Sequence, residues 1–484
     1  QQIEDFSDGT VSANDCFRPV SRYFDRITRP EQLLTALPRA IRVMTDPAEC
    51  GPVTLAFCQD VQAEAYDWPV DFVEEKTWHQ RRPRPDAGEL AAARDAIRSS
   101  SCPVIVAGGG VHYSQAAKAL KAFAERHGVP VVETQAGKSA LPWDHPLNLG
   151  PVGVTGASSA NAVCERADLV IGVGTRFQDF TTGSWALFRK PGRRIMALNV
   201  QPFDATKHGA LSLVADARVG LEELSAALGD WQAEPPSAEL KENWFAAADA
   251  VTAAPEPEGN ALPTDMQVIG AVQRAAREDT VVMCAAGTMP GELHKLWKAG
   301  RPGSYHMEYG YSCMGYEIAG GMGIKMAEPE RDVVVMLGDG SYMMMNSELA
   351  TAVMMGIKIT VVITDNRGFG CINRLQMATG GAEFNNLLDH ARHETPSHID
   401  FVAHAASMGA HAEKAGSIAG LEDALARARD AQGPFVVVVD TDPYPSTQAG
   451  GHWWDVAVPE ISDREQVRAA RAAYEKALKE RSHA

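Results

Sequence analysis

The sequence predicts an α/β protein built on doubly wound parallel sheets. Three observations lead there. Apolar runs rich in Val and Ile, such as VVVML (333–337), IKITVVIT (357–364) and GPFVVVVDTD (433–442), lack the alternation of a half-exposed strand and read as strands covered on both faces. Segments of helical character separate them, giving the strand–helix–strand order of a right-handed parallel crossover. The 484 residues, 45% hydrophobic with 42 glycines and 28 prolines, suffice for about three such domains joined by many turns.

In chain order, the first 85 residues hold one clear helix (about 30–44) and one clear strand, PVTLAFC (52–58). Those are too few elements to enclose a core. The expectation is that residues 1–74 form the C-terminal part of a domain whose earlier part precedes Gln1. EEKTWHQRRPRPD (74–86) is charged and contains prolines, so 75–86 reads as a linker. From 87 to 228 a helix is followed by the strands PVIVAGGG (103–110), VPVVET (129–134), ADLVIGVGTR (167–176), RRIMALNV (193–200) and LSLVADA (211–217), a central Rossmann-like domain. Residues 229–262, with WQAEPPSAEL and AAPEPEGNALP around a helical piece, form a second linker. The third domain, 263–445, opens with a helix and TVVMCAAGTMPG (280–291). The tail, 446–484, contains GGHWWDVAVPE and ends in a helix with Ser462 and Glu465 placed as a capping box and Val467, Ala470, Tyr474 and Leu478 as its apolar stripe.

Composition excludes several functions. A formal net charge of -17 disfavours nucleic acid and anionic membrane surfaces as partners. The eight cysteines are scattered without a CxxC pair, which reads as reduced thiols. No apolar run reaches the length of a membrane span and no signal peptide opens the chain, so the expected location is the cytoplasm.

Chemistry concentrates between Gly338 and Gly370. The strand 333–337 stops at Gly338-Asp339-Gly340, and the strand 357–364 stops at Asp365-Asn366. In a parallel crossover both ends emerge on one carboxyl edge, where open α/β sheets bind ligands, so Asp339 and Asn366 are expected to meet. Together they offer hard oxygen donors suited to Mg2+ or Ca2+, while the amides of Gly340 and Ser341 precede a helix, where phosphate sits. Elsewhere the signals are weaker. Gly108-Gly109-Gly110 and Gly172-Val173-Gly174 lack a complete G-x-G-x-x-G, and Gly137-Lys138-Ser139 lacks the first glycine of a phosphate loop, so a nucleotide in the central domain is unsupported. Asp389, His390, His393, Glu394 and His398 read as a solvated loop rather than a zinc site.

GDG, 24 residues and then DN resembles the cofactor motif of the thiamine diphosphate-dependent enzymes. The resemblance implies three doubly wound domains, thiamine diphosphate and Mg2+. It places Asp339, Asn366 and the Gly368 carbonyl on the metal. Gly338, Gly340, Ser341, Phe369 and Gly370 are then cofactor contacts in the motif, and Gly287-Thr288 touch the diphosphate through backbone groups. Met314 is the apolar wedge beneath the cofactor. QQIEDFSDGTVSANDCFRPVSRYFDRI, CGPVTLAFCQDVQAEAYDWP, ETQAGKSAL, GVGTRFQDFTTGS and GGHWWDVAVPE extend the resemblance to the branch of that family that hydrolytically opens cyclic 1,2-diones in myo-inositol catabolism.

That branch implies a trihydroxycyclohexanedione substrate, 5-deoxyglucuronate as product, and a homodimer or homotetramer with active sites between subunits. It also implies an activating glutamate upstream of Gln1, so the chain as written is expected to bind cofactor poorly and turn over little. Catalytic residues within the chain stay unassigned, with Tyr309, Tyr311, His390 and His452 as candidates by residue type. Trp453-Trp454 either caps the site or anchors the tail. The same motifs would serve an acetolactate synthase-like carboligase or a non-catalytic homologue.

Overall fold

In a computed structural model, residues 12–253, 255, 257, 259–395 and 397–482 are described. The opening segment QQIEDFSDGTV, part of the resemblance above, lies outside them. Three parallel sheets follow in chain order. The first pairs β1 (Tyr23–Ile27) with β2 (Val53–Phe57), linked by a helix over Leu33–Thr45. Only the second of these strands is legible as an apolar run, because YFDRI carries Asp25 and Arg26 in its middle.

The central sheet contains β3 (Pro103–Ala107), β4 (Val131–Glu133), β5 (Asn148–Pro151), β6 (Leu169–Val173), β7 (Arg194–Asn199) and β8 (Leu211–Val214). Their order is β5-β4-β3-β6-β7-β8. Every residue of β3 and β6 is buried, as expected for strands with helices on both faces. Gly108 and Gly110 turn tightly against the next strand. A Cβ on Gly108 would stand 2.4 Å from the Gly174 carbonyl oxygen, which explains those glycines without a ligand.

The third sheet contains β9 (Val281–Cys284), β10 (Tyr305–Met307), β11 (Val333–Gly338), β12 (Thr360–Asp365), β13 (His411–Ala415) and β14 (Phe435–Asp440), ordered β10-β9-β11-β12-β14-β13. The edge strand β13, HAEKA, is polar and escapes an apolar-run search. In β11 and β12 the runs VVVML and VVIT are buried throughout, each large side chain contributing about 1.5–3 kcal/mol. The strand predicted over 280–291 ends at Cys284, since Ala285 to Gly287 turn into a helix over Thr288–Leu296.

Between the two six-stranded sheets lies a helix over Glu239–Thr252, whose Trp244 is among the largest fully buried side chains. Residues from both sheets and from this helix share one hydrophobic cluster that includes Val104, Trp244, Leu293 and Val437. The tail completes the seam. Gly451 donates to the Gly156 carbonyl at 2.6 Å and accepts from the Asn161 side chain at 3.0 Å. The final helix spans Glu465–Ser482, and the Trp453 ring stacks on its Tyr474.

Candidate active site

β11 and β12 are hydrogen-bonded neighbours, with Gly338 opposite Thr364. The next residues along each strand, Asp339 and then Asp365-Asn366, therefore leave the sheet side by side. A short helix over Asp339–Met344 starts at this point. Asp339 and Asn366 are 6% and 7% exposed, and Asp339 Oδ1 and Asn366 Oδ1 have no hydrogen-bond partner. A buried polar oxygen without a partner costs about 1–3 kcal/mol, and this sheet edge holds two of them. Burial pushes the Asp339 carboxyl up to about 7. The negative Asp365 beside it adds to that rise, and the Gly368 and Gly340 amides oppose it. The donor set, one carboxylate and one amide oxygen at a buried edge, fits a hard divalent cation.

The loop after Asn366 is shaped by glycines. Gly368 has φ +142 and forms a bridge to Leu387, and a Cβ there would lie 2.4 Å from the Asn386 carbonyl oxygen. Its amide faces the Asp339 carboxylate. The Phe369 ring occupies the space a Cβ on Gly340 would need, at 2.6 Å. A Cβ on Gly370 would meet Asn366 Nδ2 at 3.0 Å.

The Ser341 hydroxyl is held within the protein. It donates to Glu317 Oε1 at 2.6 Å and accepts from the Gly315 amide at 3.1 Å, while that amide also donates to Glu317 Oε2 at 2.9 Å. Burial pushes the Glu317 carboxyl up. The Ser341 hydroxyl and the Gly315 and Ala286 amides pull the other way. One fully buried carboxylate thus ties together the Ala286–Thr288 loop, the Met314–Gly315 turn and the helix at Ser341. Met314 sits in that turn, ahead of Gly315 at φ +91. No sequence motif pointed to Glu317.

A cleft of about 1170 Å3 opens between the central and C-terminal sheets. Of the residues expected to hold the cofactor, Gly287 and Thr288 line it; Cys371, next after Gly370, and Arg374, one turn on, line it as well. The stretches 338–341 and 366–370 and Met314 lie outside the lining. Gly287 has φ +83 and starts the helix at Thr288. Arg374 Nη2 donates to Thr288 Oγ1 at 2.8 Å, and its other terminal nitrogen donates to the Pro443 carbonyl. Behind Arg374, burial pushes the Asp265 carboxyl up to about 6 although the guanidinium pulls it down.

The central sheet contributes Gln135, Thr155, Gln178 and Asp179 to the opposite wall. The tail contributes Trp454, whose indole donates to Asp179 Oδ2 at 2.7 Å and packs edge-on against Phe180. Trp454 therefore walls the cleft while Trp453 anchors the tail. Tyr309 and Tyr311 line the cleft, and burial raises the Tyr309 phenol to about 12. His390 faces Glu383, and His452 faces Glu165 and the Trp453 carbonyl, and neither lines the cleft. Among the described residues no group of three or more His, Cys, Asp or Glu is placed to hold a metal, the 389–398 patch included.

Residues 90–224 match the family described as "Thiamine pyrophosphate enzyme, central domain", and residues 285–439 match "Thiamine pyrophosphate enzyme, C-terminal TPP binding domain". Curated relatives include the 3D-(3,5/4)-trihydroxycyclohexane-1,2-dione hydrolase 2 of Bacillus cereus (strain ZK / E33L), 42% identical over 509 residues. The hydrolases of that name from Bacillus anthracis (strain A0248) and Geobacillus thermodenitrificans (strain NG80-2) are 42% and 41% identical over 506 and 498 residues. Each match takes in 97% of this chain and 78% of the relative.

Proposed function

This chain belongs to the thiamine pyrophosphate enzyme family, and from that premise we propose that it hydrolytically cleaves a carbon–carbon bond of a cyclic 1,2-dione. The substrate is trihydroxycyclohexanedione and the product 5-deoxyglucuronate, a step of myo-inositol catabolism. The pair of partnerless oxygens on Asp339 and Asn366 carries the cofactor half of this reading, and the relatives' printed names carry the reaction.

Asp339 and Asn366 would hold Mg2+, with Gly368 at the same edge. Gly287, Thr288, Gly338, Gly340 and Ser341 would hold the diphosphate, and Met314, Phe369 and Gly370 would shape the space beside it. When bound, thiamine diphosphate supplies the carbanion nucleophile and the electron sink that carbon–carbon cleavage needs. Water adds across the bond between the two carbonyl carbons. One carbon ends as a carboxylate and the other takes a proton. Arg374 stands on the cleft wall with donors to spare beyond Thr288 and Pro443, suited to developing negative charge on oxygen. Trp454 and Phe180 narrow the mouth and limit water.

We also propose that a second copy of the chain covers the site. Phe369, Ile372 and Phe384 are 39%, 52% and 65% exposed, and Met343 to Met345 are exposed close by. An apolar patch of this kind at a cofactor edge matches the interior of a subunit interface. No described helix is long and apolar enough to cross a membrane, which agrees with action on a polar metabolite; the cytoplasm is the proposed location.

Titration calorimetry with thiamine diphosphate and Mg2+ on a full-length form, followed by turnover assays of that form on the cyclic dione and on pyruvate, tests the reading. Consumption of the dione is the expected result. Pyruvate consumption with acetolactate formation would establish the carboligase instead, and absence of cofactor binding would leave only a non-catalytic role.

A further inference from the structure

Five hydrogen bonds run from the cleft wall into the seam between the two six-stranded sheets, and acceptor-only carbonyls orient them. The Pro290 carbonyl can only accept, so it fixes the Gln135 amide, whose Nε2 lies 3.0 Å away. The second hydrogen on that nitrogen goes to Thr155 Oγ1 at 3.1 Å. Gln135 Oε1 then receives the Tyr305 hydroxyl at 2.7 Å. The Glu133 carbonyl likewise can only accept, and at 3.3 Å from His294 Nε2 it favours the tautomer with the imidazole hydrogen there, although the Thr134 and Thr155 carbonyls also lie at the ring. Burial and the Lys138 ammonium hold His294 well below the usual histidine range, so the ring is neutral and Nδ1 is bare. In that tautomer Thr155 Oγ1, 3.0 Å from Nδ1, donates to it.

The Thr155 hydroxyl thus directs its only hydrogen inward. One of its lone pairs accepts from Gln135. The other belongs to a side chain that lines the cleft and can act only as an acceptor. Resting on the hydrolase reading above, we propose that Thr155 is a specificity-determining residue, held acceptor-only by Gln135 and His294, that receives a hydrogen bond from a ring hydroxyl of the polyhydroxylated substrate. An acceptor fixed in this way has no hydrogen to offer the carboxylate of a 2-oxo acid, so the same wall favours a polyol over a carboligase substrate at this point. The network spans both sheets, with Glu133, Gln135 and Thr155 from the central one and Pro290, His294 and Tyr305 from the C-terminal one. Their relative placement fixes what the hydroxyl can do.

Thr155→Val and Thr155→Ser in the intact protein test this. Val keeps the methyl that packs against Gly291, and Ser keeps the hydroxyl. In Thr155→Val, KM for the dione is expected to rise about 3- to 10-fold, the value of one lost hydrogen bond. The Kd for thiamine diphosphate with Mg2+ should stay within about two-fold of wild type, and Thr155→Ser should restore KM. Unchanged KM in the Val variant overturns the proposal, as does a Ser variant as impaired as Val or a cofactor Kd that rises in step with KM. A wild-type protein that binds cofactor but leaves the dione intact overturns the hydrolase reading itself, and this inference with it.

Discussion

Replacing Asp339 by Asn removes a buried charge that the cofactor-free protein does not compensate. Asp339 Oδ1 has no partner, Asp365 repels it, and burial holds the carboxyl at about 7 against an ordinary value of 3.8. A rise of about 3 units at 1.36 kcal/mol each makes the ionised form roughly 4 kcal/mol less favourable in the fold than in the unfolded chain. The amide that replaces it still lacks a partner, which returns about half of that. In EDTA at pH 8, Asp339→Asn should therefore gain about 2 kcal/mol, a rise of roughly 4–8 °C in the unfolding midpoint of a unit this size. Calorimetry should show the opposite for function, with the Kd for thiamine diphosphate and Mg2+ rising at least about 100-fold as a charged ligand is lost. Differential scanning calorimetry on the metal-free protein is the deciding measurement. A lower or unchanged midpoint would mean that the carboxylate is satisfied within the protein, and the assignment of that gap to a cation would fall.

Three further outcomes are expected. Gly287→Ala meets no atom within 4 Å of the added Cβ, so its whole effect is the backbone at φ +83 and ψ -142; it should lose about 1–3 kcal/mol in urea unfolding and weaken cofactor binding in calorimetry. Glu317→Gln leaves its amide nitrogen facing either the Ser341 hydroxyl or the Gly315 amide; it should lose about 1–3 kcal/mol in the same unfolding assay and loosen the cofactor site, and an unchanged Kd would show that the three loops are held in place without it. Lys241 donates to the His145 carbonyl at 2.5 Å, and burial lowers its ammonium to about 8 against an ordinary 10.5. Between those values the folded chain has released a proton that the unfolded chain still holds, so this group makes stability rise with pH from about 8 to about 10.5. Lys241→Met should flatten that rise in denaturant titrations across the range, and an unaltered slope would place the lysine in water.

The cofactor edge was legible because its signal is local. Each buried strand announces itself as a β-branched run, and the residues just past two parallel strands joined by one helix must share an edge, so the sequence alone pairs Asp339 with Asn366. Glycines at 338, 340, 368 and 370 add to that signal. The strands at 23–27 and 411–415 were not legible, because Asp25 and Arg26, and Glu413 and Lys414, break their apolar pattern at sheet edges. The tail also escaped a definite reading, since adjacent tryptophans could not be told apart until one faced Asp179 and the other Tyr474.

By itself the sequence determined the class of fold, the family, and the two strand ends that share the edge proposed for a cation and a diphosphate. Only the tertiary structure decided what surrounds that edge. Glu317 joins three loops that lie far apart in the chain. Gln135 and Thr155 come from the central sheet's side and His294 from the C-terminal one, and Arg374 reaches Thr288 across 86 positions. The physical reason is range. A strand end is fixed by neighbours a few residues away, whereas the direction of a hydroxyl hydrogen or the partner of a buried carboxylate depends on groups that meet only after two sheets have packed together.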